Sequence, residues 1–243
     1  MGLVKAAIGD AIITFLWVFC ASTLGIFTSI ISKYVGVDSG NNIGATLLIT
    51  TLLVCVLVFI FNWIGDMLGG ASFNPTGSAS FYAAGLGPDN LFSLAFRFPA
   101  QTLGAMGGTL AILEVVPKNY KHMLGGPSLK VDVHTGAMAE GLLTFIISFA
   151  VLFIVLRGPA NNLLKTWMLS MTTVALVVAG SGYTGPSMNP ANFRAFWYIF
   201  SWSSIWFSLS KSQIIGFVLE RHFNSVNQHA KVQVSKKQGG NIY

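Results

Sequence analysis

The sequence predicts an all-α membrane protein organised as an inverted repeat, in which each half supplies three spanning helices and one re-entrant half-helix. Three observations carry this. Hydrophobic residues make up 53% of the 243-residue chain and charged residues 9%, with a mean hydropathy of +0.66, whereas a soluble domain carries about 25% charged residues. Several segments run for about 20 residues with little charge, the length needed to cross a hydrocarbon core of about 30 Å. Asn-Pro occurs twice, at Asn74-Pro75 and Asn189-Pro190, in stretches too short to span.

Taken in order, the spanning segments are residues 6–32, 43–63, 92–116, 135–156 and 164–183, separated by short stretches rich in Gly, Pro, Asn and charge. The first holds an uncharged run from 11 to 32. That exceeds a signal-peptide core of about 7–15 residues, so it is expected to stay as a helix. A sixth segment within 193–219 is weaker: five serines and seven aromatics crowd residues 195–210, which resembles an interfacial segment as much as a span. Cys20 and Cys55 lie in apolar runs and read as small core residues. The four histidines, at 122, 134, 222 and 229, have no ligand spacing, so neither a metal nor a cofactor is expected. The net charge of +6 is spread too thinly for nucleic acid and suits loops facing anionic lipid. No phosphate loop or nucleophile elbow occurs, which argues against an enzyme.

Residues 69–84 and 182–197 each open with glycines, then place Asn at a helix N-cap and Pro at the first helical position, where a missing N–H costs nothing. The chain also repeats itself. Gly9-Asp10-Ala11-Ile12-Ile13-Thr14-Phe15 matches Ala139-Glu140-Gly141-Leu142-Leu143-Thr144-Phe145 at an offset of 130, while the Asn-Pro motifs are offset by 115. The first half therefore carries 15 extra residues, which we expect in the loop at 33–42. Three helices per half is odd, so the second copy enters the membrane from the opposite side. The expected units are a first repeat at 1–117, a connecting loop at 118–134, a second repeat at 135–222 and a polar tail at 223–243.

Backbone that is neither helix nor barrel survives at membrane depth only beside protein or a water-filled cavity, so two re-entrant segments imply an aqueous path. An isolated Asn-Pro would only cap or turn a chain; two in matching places make the pore reading the stronger. Half-helix N-termini meeting at the midplane each project about half a positive charge, and Asn74 and Asn189 offer amide donors to a solute. Cations are repelled, neutral molecules are tolerated, and a water held by both asparagines breaks the donor chain that proton hopping requires. Asp10 and Glu140 are ionisable groups inside spanning helices, each costing about 2.5–3.5 kcal/mol at a helix centre. They are either a proton relay or acceptors for backbone N–H groups of the re-entrant loops. Their matched positions favour the second. Gly104 and Gly108 have the spacing of close helix packing within a bundle.

These residues resemble the aquaporin, or major intrinsic protein, family, whose paired Asn-Pro-Ala boxes correspond to Asn74-Pro75-Thr76 and Asn189-Pro190-Ala191. Val4-Lys5-Ala6-Ala7-Ile8-Gly9-Asp10, Arg97-Phe98-Pro99-Ala100-Gln101 and Tyr183-Thr184-Gly185-Pro186-Ser187-Met188-Asn189 are similar to the plant small basic intrinsic proteins within it. The resemblance covers residues 1–192. It implies an aquaporin-like hourglass of six helices and two half-helices, a tetramer with one pore per subunit, and an endoplasmic reticulum membrane. Family members narrow the outer mouth with four residues, and the matching positions are Val54, Val177, Pro186 and Asn192. None is aromatic or charged, and Asn192 stands where a typical water channel has arginine, so the mouth is expected to be wider and less polar. After Asn192 the chain departs from the family pattern: Phe193-Arg194-Ala195-Phe196-Trp197 is unlike the subfamily, and residues 193–238 hold one glycine, Gly216. A retained intron or frameshift would produce such an end.

With the N-terminus cytosolic, Lys5, Arg97, Arg157 and Lys165 fall inside and Lys33, Lys118, Lys121 and Lys130 outside, so the loop charges tie. The expected cargo is water and small neutral solutes, and the expected surroundings are lipid and either identical subunits or relatives. Two other readings remain at this level: a non-conducting subunit of a hetero-oligomeric channel, and a proton-coupled carrier.

Overall fold

The computed structural model describes residues 2–37 and 42–192, and among these no strand occurs. The stretch expected as one helix over 6–32 is two, α1 (Leu3–Ala21) and α2 (Leu24–Tyr34). The break is local. The Thr23 hydroxyl and N–H both donate to the Cys20 carbonyl, at 2.6 and 3.1 Å, and the Ser22 carbonyl accepts the N–H of distant Gly125 at 2.9 Å. A hydroxyl inserted into the ladder, and a carbonyl drawn off by another loop, bend a helix at that point.

The chain continues as α3 (Ile43–Met67), α4 (Pro75–Ala83), α5 (Leu91–Val115), a 3₁₀ turn at Lys118–Met123, α6 (Val133–Arg157) and α7 (Asn162–Gly180), and residues 190–192 are again helical. The span expected at 164–183 thus ends earlier, at Gly180, where the chain turns to deliver the second Asn-Pro motif. Among the described residues four helical stretches, 3–34, α3, α6 and α7, are long and apolar enough to cross a membrane. The α5 helix equals α3 in length but carries Arg97, Pro99 and Gln101, which lower its apolarity. The expected sixth span, the rest of the second half-helix to 197 and the tail lie outside the described residues.

Polarity is distributed as lipid requires. Ile8 and Ile12 on α1, Leu52, Val56 and Phe59 on α3 and Phe153 on α6 are exposed, while Thr14, Gln101, Ser148 and Ser170 are buried. Apolar surface costs nothing against lipid tails, so the interior is free to hold small and polar residues. Several buried hydroxyls are satisfied within their own helices: Thr14 donates to the Asp10 carbonyl at 2.6 Å, Thr109 to Ala105 at 2.9 Å and Ser170 to Thr166 at 2.8 Å.

α1 lies along α5, α3 along α2 and α7, and α6 along α7, while α4 touches both α5 and α6. The α1–α5 contact is set by the expected glycines: a Cβ on Gly104 would collide with the Ala11 carbonyl, and one on Gly108 with that of Phe15. The 15 extra residues of the first half are not mainly in the 33–42 loop. Residues 3–34 form a stretch of 32 residues against 25 in α6, and α3 has 25 residues against 19 in α7. Extra helical turns, including much of α2, absorb most of the difference.

Candidate functional site

The first Asn-Pro motif begins a helix by its own chemistry. Residues 69–74 are irregular, with Gly69 and Gly70 at φ 78° and 84°, a left-handed conformation that glycine adopts without strain. Asn74 then caps α4: its side-chain oxygen accepts the Thr76 N–H at 2.9 Å, and Pro75 occupies the first helical position. The second motif is built alike, with the Asn189 oxygen accepting the Ala191 N–H at 3.0 Å and Pro190 starting the turn.

The two caps face each other and are tied reciprocally. The Asn74 amide donates to the Met188 carbonyl at 3.1 Å, and the Asn189 amide donates to the Phe73 carbonyl at 2.9 Å. Each asparagine thus grips the carbonyl that precedes the other. Both oxygens are used for capping, and each amide keeps a second N–H beyond the one engaged across the junction. Thr76, Pro75, Asn189 and Ala191 are buried, whereas Asn74 and Pro190 are half-buried.

Asp10 and Glu140 each bind the residue two positions before an asparagine. Asp10 accepts the Ser72 N–H at 2.8 Å, and Glu140 accepts the Ser187 N–H at 3.0 Å, the Met188 N–H at 3.3 Å and the Thr184 hydroxyl at 2.8 Å. Met188 is held at φ 47°, the one non-glycine left-handed residue among those described. Such backbone persists only where its surroundings impose it, and here its N–H and carbonyl are both engaged.

Sequence reasoning missed the partner of Asp10. Arg97 is no loop charge: it is 6% exposed on α5 and meets Asp10 through Nε at 2.7 Å and Nη2 at 2.8 Å, while also bonding the Gly70 carbonyl at 3.0 Å and pairing with Asp89. Gln101, one turn on, donates to Asp10 at 2.8 Å. The available signal was an Arg and a Gln at i, i+4 inside an apolar run, opposite an intramembrane acid that needs a partner. Removing Arg97 from the inner loops breaks the charge tie used for orientation.

The four positions expected at the outer mouth lie on different elements. Val54 is buried on α3, Val177 is 39% exposed on α7, Pro186 is buried in the loop before Asn189, and the Asn192 side-chain oxygen is buried with no partner among the described residues. Pro186 packs against Gly180, where a Cβ would meet its ring. The connecting loop reaches the same region: the Ser128 and Lys130 N–H groups donate to the Thr184 and Tyr183 carbonyls at 2.7 and 2.9 Å. Among the described residues no group of His, Cys, Asp and Glu is placed to hold a metal.

A capped half-helix and a second capped helix start, joined head to head inside a lipid-facing helical bundle, point to a membrane channel rather than a soluble enzyme. The chain belongs to the major intrinsic protein family, whose model matches residues 1–217. It is 53% identical over 215 residues to Aquaporin SIP1-1 of Zea mays, covering 88% of this chain and 87% of that one, and 55% identical over 206 residues to Aquaporin SIP1-1 of Oryza sativa subsp. japonica, covering 84% and 83%. Its fold is similar to that of the aquaglyceroporin from Plasmodium falciparum, with a TM-score of 0.69 at 18% identity over 91% of this chain and 95% of that one. The family match runs past Asn192, beyond the reach of the quoted motifs. The chain is therefore an integral, multi-pass membrane protein of the aquaporin kind, a channel for water and small solutes and not an enzyme.

Proposed function

We propose that the chain forms a passive pore for water and other small neutral solutes in an internal membrane, the endoplasmic reticulum, assembled as a tetramer of identical subunits or of relatives, each with its own pore. The reciprocal Asn74–Met188 and Asn189–Phe73 bonds carry this reading, because they fix two amide donors at one place while leaving each a free N–H. Asn74-Pro75-Thr76 and Asn189-Pro190-Ala191 form the centre of the pore. A water accepting from both asparagines turns its own hydrogens outward, and the helix N-termini repel cations and hydronium. Asp10 and Glu140 hold the re-entrant loops in place. Val54, Val177, Pro186 and Asn192 line an apolar outer mouth, which relaxes selectivity for water at that point of the pore. The internal location rests on the likeness to the plant small basic intrinsic proteins.

Stopped-flow shrinkage of proteoliposomes containing the purified chain tests the function. Water permeability well above that of empty vesicles is expected; equality with empty vesicles overturns it in favour of a non-conducting subunit. A fluorescent fusion that tracks a plasma-membrane marker instead of an endoplasmic reticulum marker overturns the location.

A further inference from the structure

Trp17 lies on the inward stripe of α1, beside buried Asp10, Ile13, Thr14 and Val18, yet it keeps part of its surface exposed. Its ring stacks on Phe73 with centroids 4.1 Å apart and planes 16° from parallel, and Phe61 of α3 meets both rings edge-on, at 5.3 and 6.1 Å. Phe73 is the residue whose carbonyl holds the Asn189 amide. Trp17 also packs against the cluster of Val18, Ala105 and Ala191, the last belonging to the second Asn-Pro-Ala motif. One aromatic ring therefore touches the surroundings of both asparagines. With the asparagine pair as the pore centre, an inward-facing side chain exposed at this junction is exposed to the passage rather than to lipid.

We propose that the Trp17–Phe73 stack is the size-selecting wall of the pore and that Trp17 is a specificity-determining residue, a role that rests on the asparagine pair being the pore centre. Stacked aromatic rings yield little, because each has two side-chain torsions and the pair is braced edge-on by a third ring that is 3% exposed. The four outer-mouth positions carry no aromatic side chain, so the narrowing falls to the midplane. The indole N–H makes no hydrogen bond with the described residues and adds a third donor beside the two asparagines. The favoured cargo is a molecule of water-like cross-section bearing an acceptor, and a polyol such as glycerol is held back.

The test compares glycerol and water permeability in proteoliposomes of the full chain and its variants. Trp17→Ala is expected to raise the glycerol-to-water ratio by roughly tenfold, the discrimination a single mis-sized apolar group gives a shaped site, and Trp17→Phe to raise it less. An unchanged ratio in Trp17→Ala overturns the proposal, as does a rise in Val177→Ala that Trp17→Ala does not share. Should Trp17→Ala fail to fold, Trp17→Phe and Phe73→Leu take its place: a raised ratio in both supports the wall, and no rise in either removes it. Wild-type vesicles no leakier to water than empty ones would strike the channel reading itself, an outcome distinct from an unaltered ratio.

Discussion

Arg97→Met tests whether the first re-entrant loop hangs on a buried ion pair. The guanidinium supplies Asp10 with bonds of 2.7 and 2.8 Å and the Gly70 carbonyl with one of 3.0 Å, and it pairs with Asp89. Asp10 is fully buried and the Arg97 side chain is 7% exposed, so water cannot take over these contacts. Without Arg97, Asp10 keeps the Ser72 N–H and the Gln101 amide as donors. Removing one member of a buried pair costs about 3–5 kcal/mol, whereas an exposed pair is worth about 0–1. Asp10→Asn should cost a similar amount, and the double variant should cost at least about 2 kcal/mol less than the sum of the two, because the second change removes a charge the first left stranded. Equilibrium unfolding in mixed detergent micelles measures all three. A single-variant loss under about 1 kcal/mol, or strict additivity, would refute the reasoning.

Gly104→Ala should destabilise by about 1–3 kcal/mol, since a Cβ there meets α1 backbone that cannot yield, while Gly107→Ala, facing the Phe15 ring at 3.1 Å, should cost less; thermal midpoints in detergent rank the two, and the reverse order would contradict the packing. Glu140→Gln replaces one of two acceptor oxygens by a donor facing the Ser187 and Met188 N–H groups and the Thr184 hydroxyl, which should cost about 1–3 kcal/mol and lower water permeability; stopped-flow and unfolding measurements that match the wild type would count against it. Asp132 caps α6, and hydrogen bonds from the Thr135 hydroxyl and N–H, with that from the His134 N–H, hold its carboxyl below the usual range. A depressed carboxyl stabilises above its unfolded pKa of about 3.9 and loses that contribution as pH falls through its folded value. The midpoint gap between wild type and Asp132→Ala should therefore close in strong acid; a gap constant with pH would exclude the capping charge as its source.

Much of the architecture was legible because it rests on local chemistry. Hydrocarbon thickness fixes segment length, so five apolar stretches could be placed, and an Asn followed by Pro announces a helix start wherever it falls. What was illegible depends on partners far apart in the chain. The break at Ser22-Thr23 needs a carbonyl claimed by Gly125, about a hundred positions away. Arg97 reads as a loop charge until the fold brings it to Asp10, and the left-handed backbone of Met188, a residue with no preference for it, is imposed by Glu140 on one side and Asn74 on the other. The Trp17–Phe73–Phe61 cluster has no sequence signature, since its members come from α1, a loop and α3.

Among the described contacts the two carboxylates draw their donors from different places, and side-chain length bears on the difference. A carboxylate buried in a bundle must fill its acceptor sites, because unsatisfied groups there cost far more than in water. Glu140 is one methylene longer than Asp10 and spans two successive N–H groups of its loop together with the Thr184 hydroxyl. Asp10 reaches one loop N–H, and its remaining sites are filled from α5 by Arg97 and Gln101. That substitution lowers the apolarity of α5, which is absent from the stretches apolar enough to span on composition alone. It also bears on transport. Each Asp10 oxygen already accepts two donors, one of them from a cation, so a travelling proton would have to displace a buried ion pair that anchors the loop. The same contacts that fix the asparagine in place work against the carboxylate as a relay.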